Sequence, residues 1–183
     1  ANKQAHGEIG PEQILQTSSN VGMVRVVDQL SDRLGSGALY DGLERLGVGK
    51  SSGSDLPGEA QGQLRSREVL AKSRIDRATA AFGQGFSITP LQLLRMMAAL
   101  ANGGWLVTPH VIEGFSADRR LYWQPERAKP ERIFSTATSQ QIVAWMEAVL
   151  KPGGTATQAA IEGYRIAGKT GTSQKSDPTN GYR

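Results

Sequence analysis

Two short runs of hydroxyl, amide and amine side chains stand near opposite ends of the 183-residue chain: Thr17-Ser18-Ser19-Asn20 and Lys169-Thr170-Gly171-Thr172. A lysine supplies positive charge, serine and threonine hydroxyls both donate and accept, and an asparagine amide can pair with another amide. Together such groups can hold a carboxylate, relay a proton or face an oxyanion. The second run lies inside "EGYRIAGKTGTSQK", residues 162–175, which carries two overlapping patterns. From Gly163 to Thr170 it satisfies G-x-x-x-x-G-K-S/T, the loop whose backbone N–H groups cradle nucleotide phosphates. From Lys169 to Thr172 it spells K-T-G-T, and the two readings demand different secondary structures.

A phosphate loop runs from a strand into a helix N-terminus and uses glycine-permitted turns. Its four central positions here are Tyr164, Arg165, Ile166 and Ala167, which contain no glycine and alternate as a strand does. After Thr170 the chain reads "GTSQKSDPTNGYR", where Gly171, Pro178 and Gly181 oppose an amphipathic helix. A P-loop nucleotide-binding protein is therefore the remote alternative. A strand over residues 164–172 would put Lys169 and Gly171 on one face and Thr170 and Thr172 on the other. Gly171 would let a ligand backbone approach, and the Thr172 N–H could point at a carbonyl. Those are parts of a carboxylate and oxyanion site.

The rest of the chain predicts elements to carry these groups. A short helix over residues 11–16 starts at Gly10-Pro11, stops at "TSSN", and gives way to a helix over 21–34. Met23, Val26, Val27, Leu30 and Leu34 share one face of the latter, so a polar corner between two helices is expected. By itself such a corner is an ordinary place for N-caps. A helix over 36–46 follows, with Gly47 as its stop, then a Gly-, Ser- and Pro-rich connector over 48–62. Asp55 and Glu59 in "SDLPGE" fit a packed turn better than a carboxylate pair. Thr89, Pro90 and Gln92 form a capping box for a helix ending at Asn102-Gly103-Gly104, with Leu94, Met97, Ala98 and Ala101 as its apolar stripe. Strand-like pieces occupy 105–107, 110–113, 121–123 and 132–134. Thr138 with Gln141 can then cap a helix running to Leu150, whose Ile142, Trp145, Met146, Val149 and Leu150 share a face.

Composition narrows the function classes. The net charge of +4 is spread along the chain and is not interleaved with aromatics, so nucleic-acid binding is not indicated. With no cysteine there is no disulfide, thiolate nucleophile or thiolate metal site, and His6 and His110 lack metal-ligand spacing. No metal or other cofactor is expected. The longest apolar run, residues 91–101, is broken by Gln92 and Arg95 and falls short of the roughly 20 residues that span a bilayer. "ANKQAHGEIG" has no signal-peptide core, so any export signal or anchor is expected outside this chain.

"TSSNVGM", "SDLPGE", "AFGQGFSITPLQL", "ALANGG", "VTPH", "PGGTA" and "YRIAGKTGTSQK" occur in one order along the chain. On this series the sequence resembles the transpeptidase domain of class B penicillin-binding proteins, particularly the septal, FtsI-type enzymes of cell division, in which S-S-N stands where related enzymes have S-D-N. The resemblance implies an α/β (α+β) fold of the penicillin-binding and serine β-lactamase type, mainly helical here with an antiparallel sheet. All of 1–183 would be part of one transpeptidase domain, a helical lobe over about 11–104 and a second part over about 105–175. It implies a D,D-transpeptidase acting on D-Ala-D-Ala stem peptides of peptidoglycan through a serine acyl-enzyme that β-lactams block.

The family roles fall on particular residues. Ser18 would relay protons, Asn20 would hold the substrate amide, and Lys169 would face the substrate carboxylate and Ser18. Thr170 and Thr172 would bind that carboxylate beside Gly171, with the Thr172 N–H as an oxyanion donor. The nucleophile's S-x-x-K motif is absent: no serine has a lysine three residues on, and Ser173 has one at two. That motif would precede Ala1, so an internal fragment incomplete at both ends, inactive alone, is expected. The resemblance further implies division-protein and glycosyltransferase partners, and a membrane-anchored parent on the periplasmic face of the inner membrane. A non-catalytic penicillin-binding-like sensor or scaffold and a serine β-lactamase are the alternatives.

Overall fold

The computed structural model describes residues 7–172, 176–177 and 181–182. His6 and the last three residues of the 162–175 stretch lie outside them. Helix α1, Pro11–Thr17, opens with proline at its first position and ends at Ser18. Ser19 then caps α2, Asn20–Leu34, its Oγ accepting from the Gly22 N–H at 3.1 Å. The expected polar corner is present, and its tightness depends on Gly22. A Cβ there would stand 2.7 Å from Ile14 Cγ1, so only glycine lets α2 press against buried Ile14 of α1. Of the face expected on α2, Val27 is buried while Val26 and Leu34 are exposed.

Helix α3, Ala38–Arg45, is followed by the irregular connector, and then by two helices that the apolar periodicity did not disclose: α4, Arg67–Lys72, and α5, Arg74–Ala81. Each is capped by a serine, Ser66 accepting from Val69 N–H and Ser73 from Asp76 N–H. Ion pairs join these short helices to their neighbours, Arg67 to Asp41 of α3 and Arg74 to Asp28 of α2. Their exposure makes them worth little individually.

Helix α6, Pro90–Ala101, has the predicted capping box, with Thr89 Oγ1 accepting from Gln92 N–H and Gln92 Oε1 from Thr89 N–H. Its inward face is not the predicted stripe. Leu94 and Met97 are 58% and 37% exposed, whereas Ala99 and Gln92 are 0% and 1% exposed. The small Ala99 faces the close approach of other elements, and the amide of Gln92 is solvated by protein rather than water. Its Nε2 donates to the carbonyls of Gly47 (3.3 Å), Lys50 (2.6 Å) and Gln61 (2.7 Å), tying α6 to the connector.

The strands are short and antiparallel: β1, Trp105–Leu106, with β4, Glu131–Arg132; β2, Phe115–Ala117, with β3, Arg120–Trp123; and β5, Ser176–Asp177, with β6, Gly181–Tyr182. The 110–113 piece is not a strand. Its Val111 and Ile112 N–H groups donate instead to the Asp55 carboxylate at 2.9 and 2.8 Å, which holds that carboxyl below its usual range. Glu59 likewise accepts from Ser51 Oγ and Ser52 N–H, so both acids of "SDLPGE" serve the turn. Helix α7, Thr136–Ala148, is capped by Ser135, three residues before the predicted cap Thr138, whose N–H donates to the Ser135 hydroxyl. Met146, Val149 and Leu150 are buried, α7 packs against both α1 and α6, and Ser139 Oγ donates to the Leu100 carbonyl.

Candidate active site

Packing of α1 on α7 brings residues 16–20 and 164–172 together. Gln16 of α1 donates to the Pro152 carbonyl just beyond α7 at 3.2 Å, which fixes the C-terminal end of α1. The 164–172 segment returns beside the same end of α7: Gly168 N–H donates to the Met146 carbonyl at 3.3 Å, and Arg165 pairs with Glu147 at 2.7 Å. This segment is not a paired strand. Among the described residues no neighbour runs alongside it to take up its N–H and C=O groups, and a strand exists only within such a ladder. Nor does a helix begin over 170–172, so the context needed by a phosphate loop is missing.

Lys169 Nζ lies 2.7 Å from Ser18 Oγ, 151 residues away in sequence. The same ammonium donates to the Thr170 carbonyl at 3.1 Å and to Thr170 Oγ1 at 3.3 Å. Its three protons thus match three acceptors, and because ammonium can only donate, Ser18 Oγ accepts and keeps its own proton for another partner. Desolvation of the amine lowers the Lys169 pKa from the ordinary lysine value.

Ser18 has left-handed backbone angles, φ 54° and ψ 46°, as the cap of α1. A non-glycine residue there carries strain, which the flanking hydrogen bonds offset: Ser18 N–H to Leu15 O at 3.3 Å and Ser19 N–H to Ile14 O at 3.0 Å. The strained corner turns the hydroxyl towards Lys169. Ser18, Asn20, Lys169, Thr170, Gly171 and Thr172 all line one open groove and are all exposed. Asn20 occupies the first position of α2, and a Cβ at Gly171 would meet open space. Thr155 also lines the groove, its Oγ1 2.8 Å from Thr170 Oγ1. In the sequence Thr155 stands in "PGGTA", one of the runs that carry the resemblance, which places no role on it.

The whole chain, residues 1–183, matches the family described as penicillin binding protein transpeptidase domain. It is 38% identical over 169 residues to peptidoglycan D,D-transpeptidase FtsI of Escherichia coli K12, covering 92% of this chain and 26% of that protein. It is 36% identical over 165 residues to stage V sporulation protein D of Bacillus subtilis, covering 89% of this chain and 24% of that protein. In structure it is similar to penicillin binding protein 3 of Mycobacterium tuberculosis complexed with aztreonam, with a TM-score of 0.83, 32% identity, and coverage of 98% and 42%. The chain thus spans about a quarter of the length of these curated relatives. Match over the full chain, two relatives above 30% identity and the Ser18–Lys169 meeting agree: this chain belongs to the penicillin-binding protein transpeptidase-domain family.

Proposed function

We propose that this chain is part of the transpeptidase domain of a peptidoglycan D,D-transpeptidase and supplies its substrate-holding, proton-relaying wall. The Lys169 Nζ to Ser18 Oγ contact of 2.7 Å carries the reading, because it joins the two motifs of the family in one groove. The terminal carboxylate of a D-Ala-D-Ala stem would face the Lys169 charge and the Thr170 and Thr172 hydroxyls. Asn20 would hold the neighbouring amide, and room at Gly171 would admit the peptide backbone.

Acyl transfer then needs a serine to attack the penultimate carbonyl, donors for the oxyanion, and a proton for the departing D-alanine amine. Ser18, accepting from Lys169 and with its own proton free to donate, suits the last task. The Thr172 N–H is our candidate oxyanion donor, a role worth about 3 kcal/mol where measured. The chain contains no S-x-x-K, so the attacking serine belongs to a longer parent protein in this reading. Similarity to a peptidoglycan D,D-transpeptidase supports the cross-linking reaction; in this reading it serves septal wall synthesis on the extracytoplasmic side of the membrane, with the division proteins and glycosyltransferase that the family resemblance implies. No helix among the described residues is long and apolar enough to cross a membrane.

Labelling with a fluorescent penicillin tests this. The parent protein should form one covalent adduct per molecule, on a serine outside this chain, and the isolated 183-residue chain should form none. A stable adduct on the isolated chain would overturn the division of labour, and a folded parent that neither acylates nor cross-links stem peptides would overturn the function.

A further inference from the structure

Beyond the two motif ends, one side chain touches the Lys169 network from a different element. Thr155 follows the turn that closes α7, and that turn is tightly built. Gly154 N–H donates to the Lys151 carbonyl at 2.8 Å and Ala156 N–H to the Val149 carbonyl at 3.0 Å. A Cβ on Gly154 would overlap the carbonyl oxygen of Val149, itself fully buried. Thr155 is therefore presented by a fixed turn, and its Oγ1 meets Thr170 Oγ1 at 2.8 Å.

The chemistry gives this contact a direction. Lys169 Nζ donates to Thr170 Oγ1 at 3.3 Å, and a hydroxyl that accepts from a cation becomes a better donor in turn. We propose that Thr155 is a positioning residue for the transpeptidase site: in the empty groove it accepts the Thr170 hydroxyl proton, holds a Thr170 lone pair on Lys169, and so keeps the ammonium facing Ser18 until a substrate carboxylate takes over that proton. The inference rests on the proposed function only for its catalytic consequence; the hydrogen-bond chain stands on geometry. Lys169 makes no ion pair among the described residues. The other charged groups on the groove wall there are Glu8, Arg25 and Arg65, and Glu147 behind the segment is paired with Arg165.

The test compares Thr155→Val, isosteric but unable to accept, with Thr155→Ser, which restores the hydroxyl. In the 183-residue chain, NMR titration of the Lys169 side chain should show its pKa falling further in T155V and returning in T155S. In the parent, T155V should slow penicillin acylation about five- to tenfold, the worth of one hydrogen bond, and shift the Lys169-dependent limb of its pH profile in the same direction. T155S should restore both within about twofold. A Lys169 pKa unmoved by T155V, or a loss that T155S does not rescue, would overturn the proposal. If the titration moves as expected but the wild-type parent does not acylate, the positioning role stands and the transpeptidase reading fails.

Discussion

Gln92 and Lys169 are both polar side chains that each donate to three acceptors and reach a distant part of the chain, yet their surroundings are opposite. Gln92 is 1% exposed and its Nε2 donates to backbone carbonyls of Gly47, Lys50 and Gln61. Lys169 is exposed in a groove, and two of its three acceptors are hydroxyls, on Ser18 and Thr170. Carbonyls inside a protein cannot exchange protons, whereas hydroxyls can accept one and pass another on. A buried hub with carbonyl acceptors is architecture; an open hub with hydroxyl acceptors and a strained serine is equipped for chemistry.

The two hubs should separate cleanly on mutation. In the parent protein, Lys169→Ala and Ser18→Ala should each cut penicillin acylation by about 10²–10⁴, the range for losing a proton-transfer group, with the melting temperature nearly unchanged. Comparable loss of acylation and of folding would show that Lys169 is structural after all. Gln92→Ala should do the reverse. It strands buried carbonyls, a loss of about 3 kcal/mol, while folded protein at low temperature should still acylate near the wild-type rate. Denaturant unfolding with parallel acylation assays reads both.

Gly22→Ala probes the link between the two kinds of role. Its methyl would push on Ile14 Cγ1, 2.7 Å away, and so pry α1 from α2 at the corner holding Ser18. Overpacking of this kind costs about 1–2 kcal/mol, and a small displacement of Ser18 should slow acylation severalfold. Stability lost with acylation intact would mean that the corner's geometry is not what aims the hydroxyl.

Local chemistry was the legible part of this molecule. The α6 capping box, the stop at Asn102 and the serine-rich corner before α2 each depend on residues within one turn, and each is present. Helices α4 and α5 escaped because neither carries a recurring apolar face: Leu70 is the buried residue of α4 and Ala80 that of α5. Leu94 and Met97 misled because the stripe was counted by hydrophobicity, while the buried face of α6 is set by the small Ala99 and by Gln92, an amide whose carbonyl partners lie in a distant connector. The 164–172 segment alternates like a strand, but alternation cannot supply the ladder partner. Ser18 and Lys169 were legible as motif members only through resemblance; their meeting depends on α1 packing on α7, which no spacing reveals. Thr155 stands in the "PGGTA" run, but its meeting with Thr170 depends on the turn after α7 rather than on any local pattern.

Only one of the two hubs can titrate, and this gives the smallest and most discriminating effect. Desolvation lowers the Lys169 pKa below the ordinary lysine value of 10.5, so the folded chain releases this proton at a pH where the unfolded chain still holds it. Between the lowered pKa and 10.5 the unfolded state binds more protons, and stability must rise with pH through that window. Below the window the desolvation penalty on the ammonium is present in full; above it the penalty is gone. Replacing Lys169 by Met removes the titrating group, so the upward slope attributable to it should vanish from a plot of unfolding free energy against pH. Gln92→Ala should lower that plot uniformly and leave its slope alone. The effect of Lys169 is small because water still reaches much of the side chain, but its sign is fixed by the desolvation. Identical slopes for wild type and Lys169→Met would mean that the ammonium is as well solvated in the groove as in the unfolded chain. The distinction between an idle lysine and one prepared to share its proton with Ser18 would then be lost.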